Sequence, residues 1–184
     1  KAEWQKAIYD RAFSRSYSTE YTLKAKELVI HGKLAILAVT VQRIMNIDVT
    51  WKVSASGKVS VHMDVERNPE FPELPRFGLR LFLPANMHAL HYFGLGPEES
   101  YVDKRRAASH GIYRAEICDL HEDYLRPQEN GSHDDCDYVV LEGEGLKLRV
   151  YGSSSFSFNA SNYTQEELTE KKHNYELEPC GSTV

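Results

Sequence analysis

A chain of 184 residues is long enough for one domain with a substantial core and short for two. Hydrophobic residues make up 41% and charged residues 27%, the balance of an ordinary soluble globular protein. A net charge of −5 with no dense basic block argues against a nucleic-acid surface, and no apolar run approaches the roughly 18 residues of a membrane span.

Cys118, Cys136 and Cys180 are widely spaced and contain no Cys-x-x-Cys pair, so neither a disulfide framework nor a zinc knuckle is expected. The chain opens on Lys1 without a signal-peptide pattern. The expectation is a bacterial cytoplasmic location, with the natural start, and any leader it carried, lying upstream.

In chain order, the first dozen residues predict a short helix, because Trp4, Ala7, Ile8, Arg11 and Ala12 follow helical spacing. From about Tyr21 the period falls to two. Leu34, Ile36 and Ala38 mark one strand. Between Met45 and Glu66, Met45, Ile47, Val49, Trp51 and Val53 alternate with polar residues; after Ala55-Ser56-Gly57, Val59, Val61, Met63 and Val65 do the same. This pattern predicts an antiparallel hairpin with one apolar face. Its nine apolar positions are each worth roughly 1.5–3 kcal/mol if fully buried, so a second layer is expected over them.

Phe77, Leu79, Leu81 and Leu83 predict a further strand stopped by Pro84. Leu146, Leu148 and Val150, then Phe156 and Phe158, predict two more. The capping box Thr164-Gln165-Glu166-Glu167 opens a short helix through Leu168 to about Lys172. Many short strands separated by turns, with no repeat or linker, indicate a single all-β sandwich domain over 1–184 with short peripheral helices.

No self-contained reaction centre emerges. Glycoside hydrolysis needs two carboxyl groups held roughly 5–10 Å apart, and neither Glu98/Glu99 nor Glu142/Glu144 has a spacing that suggests such a pair. His88 and His91 stand three apart, and on a strand their rings point to opposite faces. His133-Asp134-Asp135-Cys136-Asp137 is the densest group of ligand-type residues, and its consecutive placement predicts a loop. Ser153-Ser154-Ser155 lacks a nucleophile elbow, and Gly94-Leu95-Gly96-Pro97 lacks the donors of a phosphate cradle. No catalytic or metal-ligating residue is assigned.

Two runs have an unusual make-up. The first is Tyr92-Phe93-Gly94-Leu95-Gly96-Pro97-Glu98-Glu99-Ser100-Tyr101-Val102-Asp103-Lys104, and the second is Arg126-Pro127-Gln128-Glu129-Asn130-Gly131-Ser132-His133. With Leu74-Pro75-Arg76-Phe77-Gly78-Leu79 before them, and Phe156-Ser157-Phe158, Tyr163–Leu168 and His173 after, they stand in an order that resembles the C-terminal β-domain of family 2 β-galactosidases. Lys104 stands where that family usually has arginine, and Asp134–Tyr138 departs from its usual arginine and tryptophan.

The resemblance implies an antiparallel super-sandwich of the galactose-mutarotase-like type, truncated at the C-terminus. It implies that the chain is a fragment of a larger β-galactosidase. The partner would be an upstream (β/α)₈ barrel, or a large subunit, holding the catalytic glutamates, in a homo-oligomeric parent. The parent reaction would be retaining hydrolysis of terminal β-D-galactosides. It would use Mg²⁺, often with Na⁺, bound outside this chain. The fragment alone is expected to be inactive and without a cofactor. Its contacts with a galactoside in the assembled site would fall to Gln128, Glu129, Asn130 and His133. The alternatives are a free-standing carbohydrate-binding module, with Trp51 or Tyr92 as the exposed platform, and an aldose-1-epimerase-like protein pairing His91 with Glu98 or Glu129.

Overall fold

The computed structural model describes residues 2–39, 42–180 and 182–183. They form an all-β, antiparallel architecture with short helices, as the alternation predicts. Contacts gather into two compact units, 1–78 and 79–184, each with its own four-stranded sheet and its own core.

In the first unit, helix α1 covers only Ala2–Lys6. The helical period of the first dozen residues is cut at Ile8, whose φ of 59° is left-handed, and a 3₁₀ turn, Tyr9–Arg11, follows. Tertiary anchors set this course. Trp4 Nε1 donates to the Glu73 carbonyl at 2.8 Å, the Tyr9 hydroxyl donates to the Pro72 carbonyl at 2.7 Å, and the Tyr9 ring stacks on Phe71.

The sheet runs in sequence order: β1 (Phe13–Lys24), β2 (Glu27–Leu37), β3 (Arg43–Ser54) and β4 (Val59–Arg67). The predicted hairpin is β3–β4, in continuous register from Met45↔Arg67 to Val53↔Val59. Its expected cover is uneven. Met45, Ile47 and Val49 are buried with Ala38, Ile44 and Phe71, against Ala7, Tyr9 and Ala12. Trp51, Val53, Val61 and Met63 are half-buried, and Val59 and Val65 are 53% and 40% exposed. Only three of the nine apolar positions therefore collect the full burial contribution within the described chain.

The second unit departs from the sequence reading at its start. The expected Phe77–Leu83 strand is absent; only β5 (Leu83–Pro84) pairs, with β10 (Ser182–Thr183). Phe77, Leu79 and Leu81 are exposed. Alternation makes a strand only where a neighbouring edge supplies hydrogen bonds, and 77–82 meets none among the described residues.

The main sheet has the order β7-β6-β8-β9, from β6 (Met87–Gly96), β7 (Ser109–Glu116), β8 (Ser132–Gly143) and β9 (Leu146–Asn159). Met87, Leu90, Tyr92, Cys136, Val139 and Leu141 form its core with Ile117 and Ala160. The two segments predicted around Val150 and Phe156 are one strand, β9, whose register skips residues between Tyr151 and Phe156 opposite β8.

The 133–137 run, expected as a loop, is instead strand β8 with a bulge. Asp135 is the extra residue there, at φ 53°, a region aspartate tolerates better than most side chains. Helix α2 (Gln165–Glu170) begins where expected, with Thr164 Oγ1 accepting from the Glu167 N–H at 3.1 Å. The Glu167 carboxylate does not close the box; it accepts instead from the Glu178 N–H at 2.9 Å. Among the described residues no helix is long and apolar enough to cross a membrane.

Candidate functional site

The two unusual runs meet in the second unit. Strand β6 ends in a cis Gly96–Pro97 bond, after which Tyr101 and Lys104 close a tight turn through reciprocal backbone hydrogen bonds of 3.0 and 2.9 Å. This places Glu99, 6% exposed, beneath the second run. Its Oε2 accepts from the Gly131 N–H at 2.8 Å. Its Oε1 accepts from Lys104 Nζ at 2.5 Å and from the Tyr124 hydroxyl, and Lys104 Nζ also reaches the Tyr124 oxygen at 3.0 Å.

Burial pushes the Glu99 carboxyl up, but the bonds from Lys104, Tyr124 and Gly131 outweigh it and hold it below the ordinary carboxylate range. Lys104 is raised by its bonds to Glu99 and then to Tyr124. Lys104 thus forms an ion pair with the buried Glu99.

Ser100 adds a second tie, donating its N–H to the Ser132 carbonyl at 2.7 Å and accepting from the Asp134 N–H at its Oγ at 2.8 Å. Asp134 Oδ1 accepts from Ser157 Oγ at 2.8 Å and from the Asp135 N–H at 2.9 Å. Arg105 Nη2 stands 2.5 Å from Oδ2, a charge contact without hydrogen-bond alignment. Burial raises the Asp134 carboxyl, and Ser157, the Asp135 amide and Arg105 together bring it below its usual value.

The four residues singled out for sugar contact separate into two pairs. Asn130 and His133 are buried. Asn130 Oδ1 accepts from the Glu122 N–H at 3.0 Å, its Nδ2 donates to the Gln128 carbonyl at 2.9 Å, and its own carbonyl accepts from Asn159 Nδ2. The His133 ring packs against both Tyr92 and Phe158, which also touch each other, with Nδ1 2.9 Å from the Tyr92 hydroxyl and 3.2 Å from the Leu95 carbonyl. A carbonyl only accepts, so the network assigns the proton to Nδ1. Gln128 and Glu129 are exposed at the apex, beside a fully exposed Leu125.

Gly131 closes the loop at φ +70°, and a Cβ there would lie 2.4 Å from the Leu120 carbonyl oxygen, so only glycine fits. The outer stem is fastened by Asn174 Nδ2, which donates to the Tyr124 carbonyl at 2.9 Å.

The other candidates resolve into structural roles. Tyr92 is 1% exposed and Trp51 is half-buried against the first core, so neither forms an open platform. His91 lies 3.8 Å from Glu142 and packs edge-on to Tyr138, which sets it against a different carboxylate from Glu98 or Glu129. His88, at a β6 register shift, pairs separately with Glu116 at 2.8 Å. Burial, followed by the charges of Asp134 and Asp135, pushes the Cys136 thiol up to about 12, so it is no nucleophile. Among the described residues no group of three or more His, Cys, Asp or Glu side chains is placed to hold a metal ion.

Sequence reasoning missed Tyr124, Ser100 and Ser157, because each acts through a partner at least 23 residues away. The only sequence signal for Tyr124 is its place two residues before the second run.

The geometry is that of an all-β domain whose most organised polar region braces a presented loop. Residues 1–184 match the family described as beta galactosidase small chain, and the chain belongs to that family. It is 44% identical over 181 residues to a β-galactosidase of Actinobacillus pleuropneumoniae, covering 98% of this chain and 18% of that protein. It is 33% identical over 183 residues to one of Staphylococcus xylosus, covering 100% of this chain and again 18% of the relative. A Lactococcus lactis β-galactosidase is 38% identical over 133 residues, 72% of this chain and 13% of its own length. The chain thus spans less than a fifth of the length of these relatives.

Proposed function

We propose that this chain is the accessory β-domain of a β-galactosidase and walls one side of its active site with the Tyr124–Gly131 loop. The observation that carries this reading is the loop itself. Its stems are tied by Glu99, Asn130 and Asn174, while Leu125, Gln128 and Glu129 face outward. A loop so restrained, with an apolar side chain and two hydrogen-bonding side chains at its tip, suits a surface completed by another part of the protein. The parent would hydrolyse terminal β-D-galactosides with retention, using glutamates in a (β/α)₈ barrel that also carries the Mg²⁺ and Na⁺ sites. The two sheets would belong to a galactose-mutarotase-like super-sandwich.

In this reading Gln128 and Glu129 are the sugar-facing pair. Asn130 and His133 act behind them, Asn130 by shaping the loop and His133 by filling the core beneath it.

The test is complementation with a chromogenic β-galactoside, comparing this chain alone, the remainder of the parent alone and the two mixed. Activity only on mixing is expected. Turnover by this chain alone, or a remainder fully active without it, would overturn the assignment.

A further inference from the structure

We infer that Glu99 is the positioning residue of the Tyr124–Gly131 loop, one carboxylate that locks both of its stems through separate oxygens. The Gly131 amide, at the C-terminal stem, donates to Oε2, and the Tyr124 hydroxyl, at the N-terminal stem, donates to Oε1. Those two residues are seven positions apart in sequence and are held by a side chain 25 residues before the first of them. Lys104, five residues after Glu99, donates to the same Oε1 and supplies the cation that keeps the carboxylate ionised.

An amide cannot take its place. Three donors converge on two acceptor oxygens, whereas glutamine offers one acceptor oxygen and turns an NH₂ group toward either Gly131 or the Lys104–Tyr124 pair. Removing the Lys104 charge leaves a buried carboxylate with its two uncharged donors only. Glu98, its exposed neighbour, has no part in the lock. The effect on the substrate rests on the reading that Gln128 and Glu129 face the galactoside; the lock on the loop does not.

The experiment uses the complete β-galactosidase containing this chain, with Glu99→Gln, Lys104→Met and Lys104→Arg variants. Amide hydrogen exchange is followed alongside steady-state kinetics with o-nitrophenyl β-galactoside. In Glu99→Gln and Lys104→Met, exchange across 122–131 should quicken at least tenfold while β6 and β8 keep their protection. KM should rise about fivefold or more with kcat within twofold, and Lys104→Arg should behave as the parent. Unchanged loop exchange, or equal acceleration in β6 and β8, would overturn the inference. Faster loop exchange with an unchanged KM would uphold the lock and count instead against the loop's contact with substrate.

Discussion

The Tyr92 hydroxyl lies 2.9 Å from Nδ1 of His133, with both side chains 1% exposed and their rings 4.6 Å apart. A residue from each unusual run is therefore used as core, beneath the loop rather than on its surface.

This contact predicts a pH dependence of stability. Burial lowers the His133 pKa below its ordinary 6.5, with Nε2 lacking a partner that would accept a second proton. A base that is harder to protonate when folded contributes stability that is complete above about pH 6.5 and is lost as pH falls through the folded value. Denaturant titrations from pH 8 to 5 should show this decline, and His133→Phe should abolish it. The same substitution should cost about 1–3 kcal/mol at pH 8, because the Leu95 carbonyl loses its donor.

A second decline should occur at lower pH. The carboxyls of Glu99 and Asp134 are both held below their ordinary values of 4.5 and 3.8. Their contribution is present above those values and disappears as pH falls through the depressed ones. Glu99→Gln should shrink this acid limb and, by removing a negative charge that partly opposes the lowering of His133, deepen the limb that belongs to His133.

At Asp134 the two sides of the ion pair are unequal. Its carboxylate is buried and also serves Ser157 and the Asp135 amide, whereas the Arg105 side chain is about half exposed. Asp134→Ala should cost about 1–2 kcal/mol, since two part-buried donors lose a charged acceptor. Arg105→Ala should cost under about 1 kcal/mol. Equal losses from the two variants in urea unfolding would contradict this asymmetry.

Gly94 tolerates no side chain. A Cβ on it would lie 2.2 Å from Cys136 Sγ and 2.9 Å from the Cys136 Cα, part of the strand beside it. Gly94→Ala should lose about 3 kcal/mol through forced separation of β6 from β8. Adding Cys136→Ala should recover only part of that loss, because the clash with backbone persists.

Thr164 offers a milder test. Its hydroxyl caps α2 at the Glu167 amide, so Thr164→Ala should cost about 1 kcal/mol and Thr164→Ser very little. Thermal unfolding of the three proteins would rank them.

The period-two alternation of Met45–Val65 determined the β3–β4 hairpin, and Thr164 determined the start of α2, because register and capping depend on residues only a few positions apart. The order of the two unusual runs was likewise enough to show the family. Partner choice was decided only by the tertiary structure. It selected Glu99 over Glu98 as the buried carboxylate, turned Asn130 and His133 inward while leaving Gln128 and Glu129 outside, and drew 133–137 into β8. It also left 77–82 without a strand partner among the described residues despite its alternation, and stopped the first helix before Ile8. Each outcome depends on which distant segment arrives with a donor, an acceptor or an open strand edge, and local periodicity carries no record of that arrival.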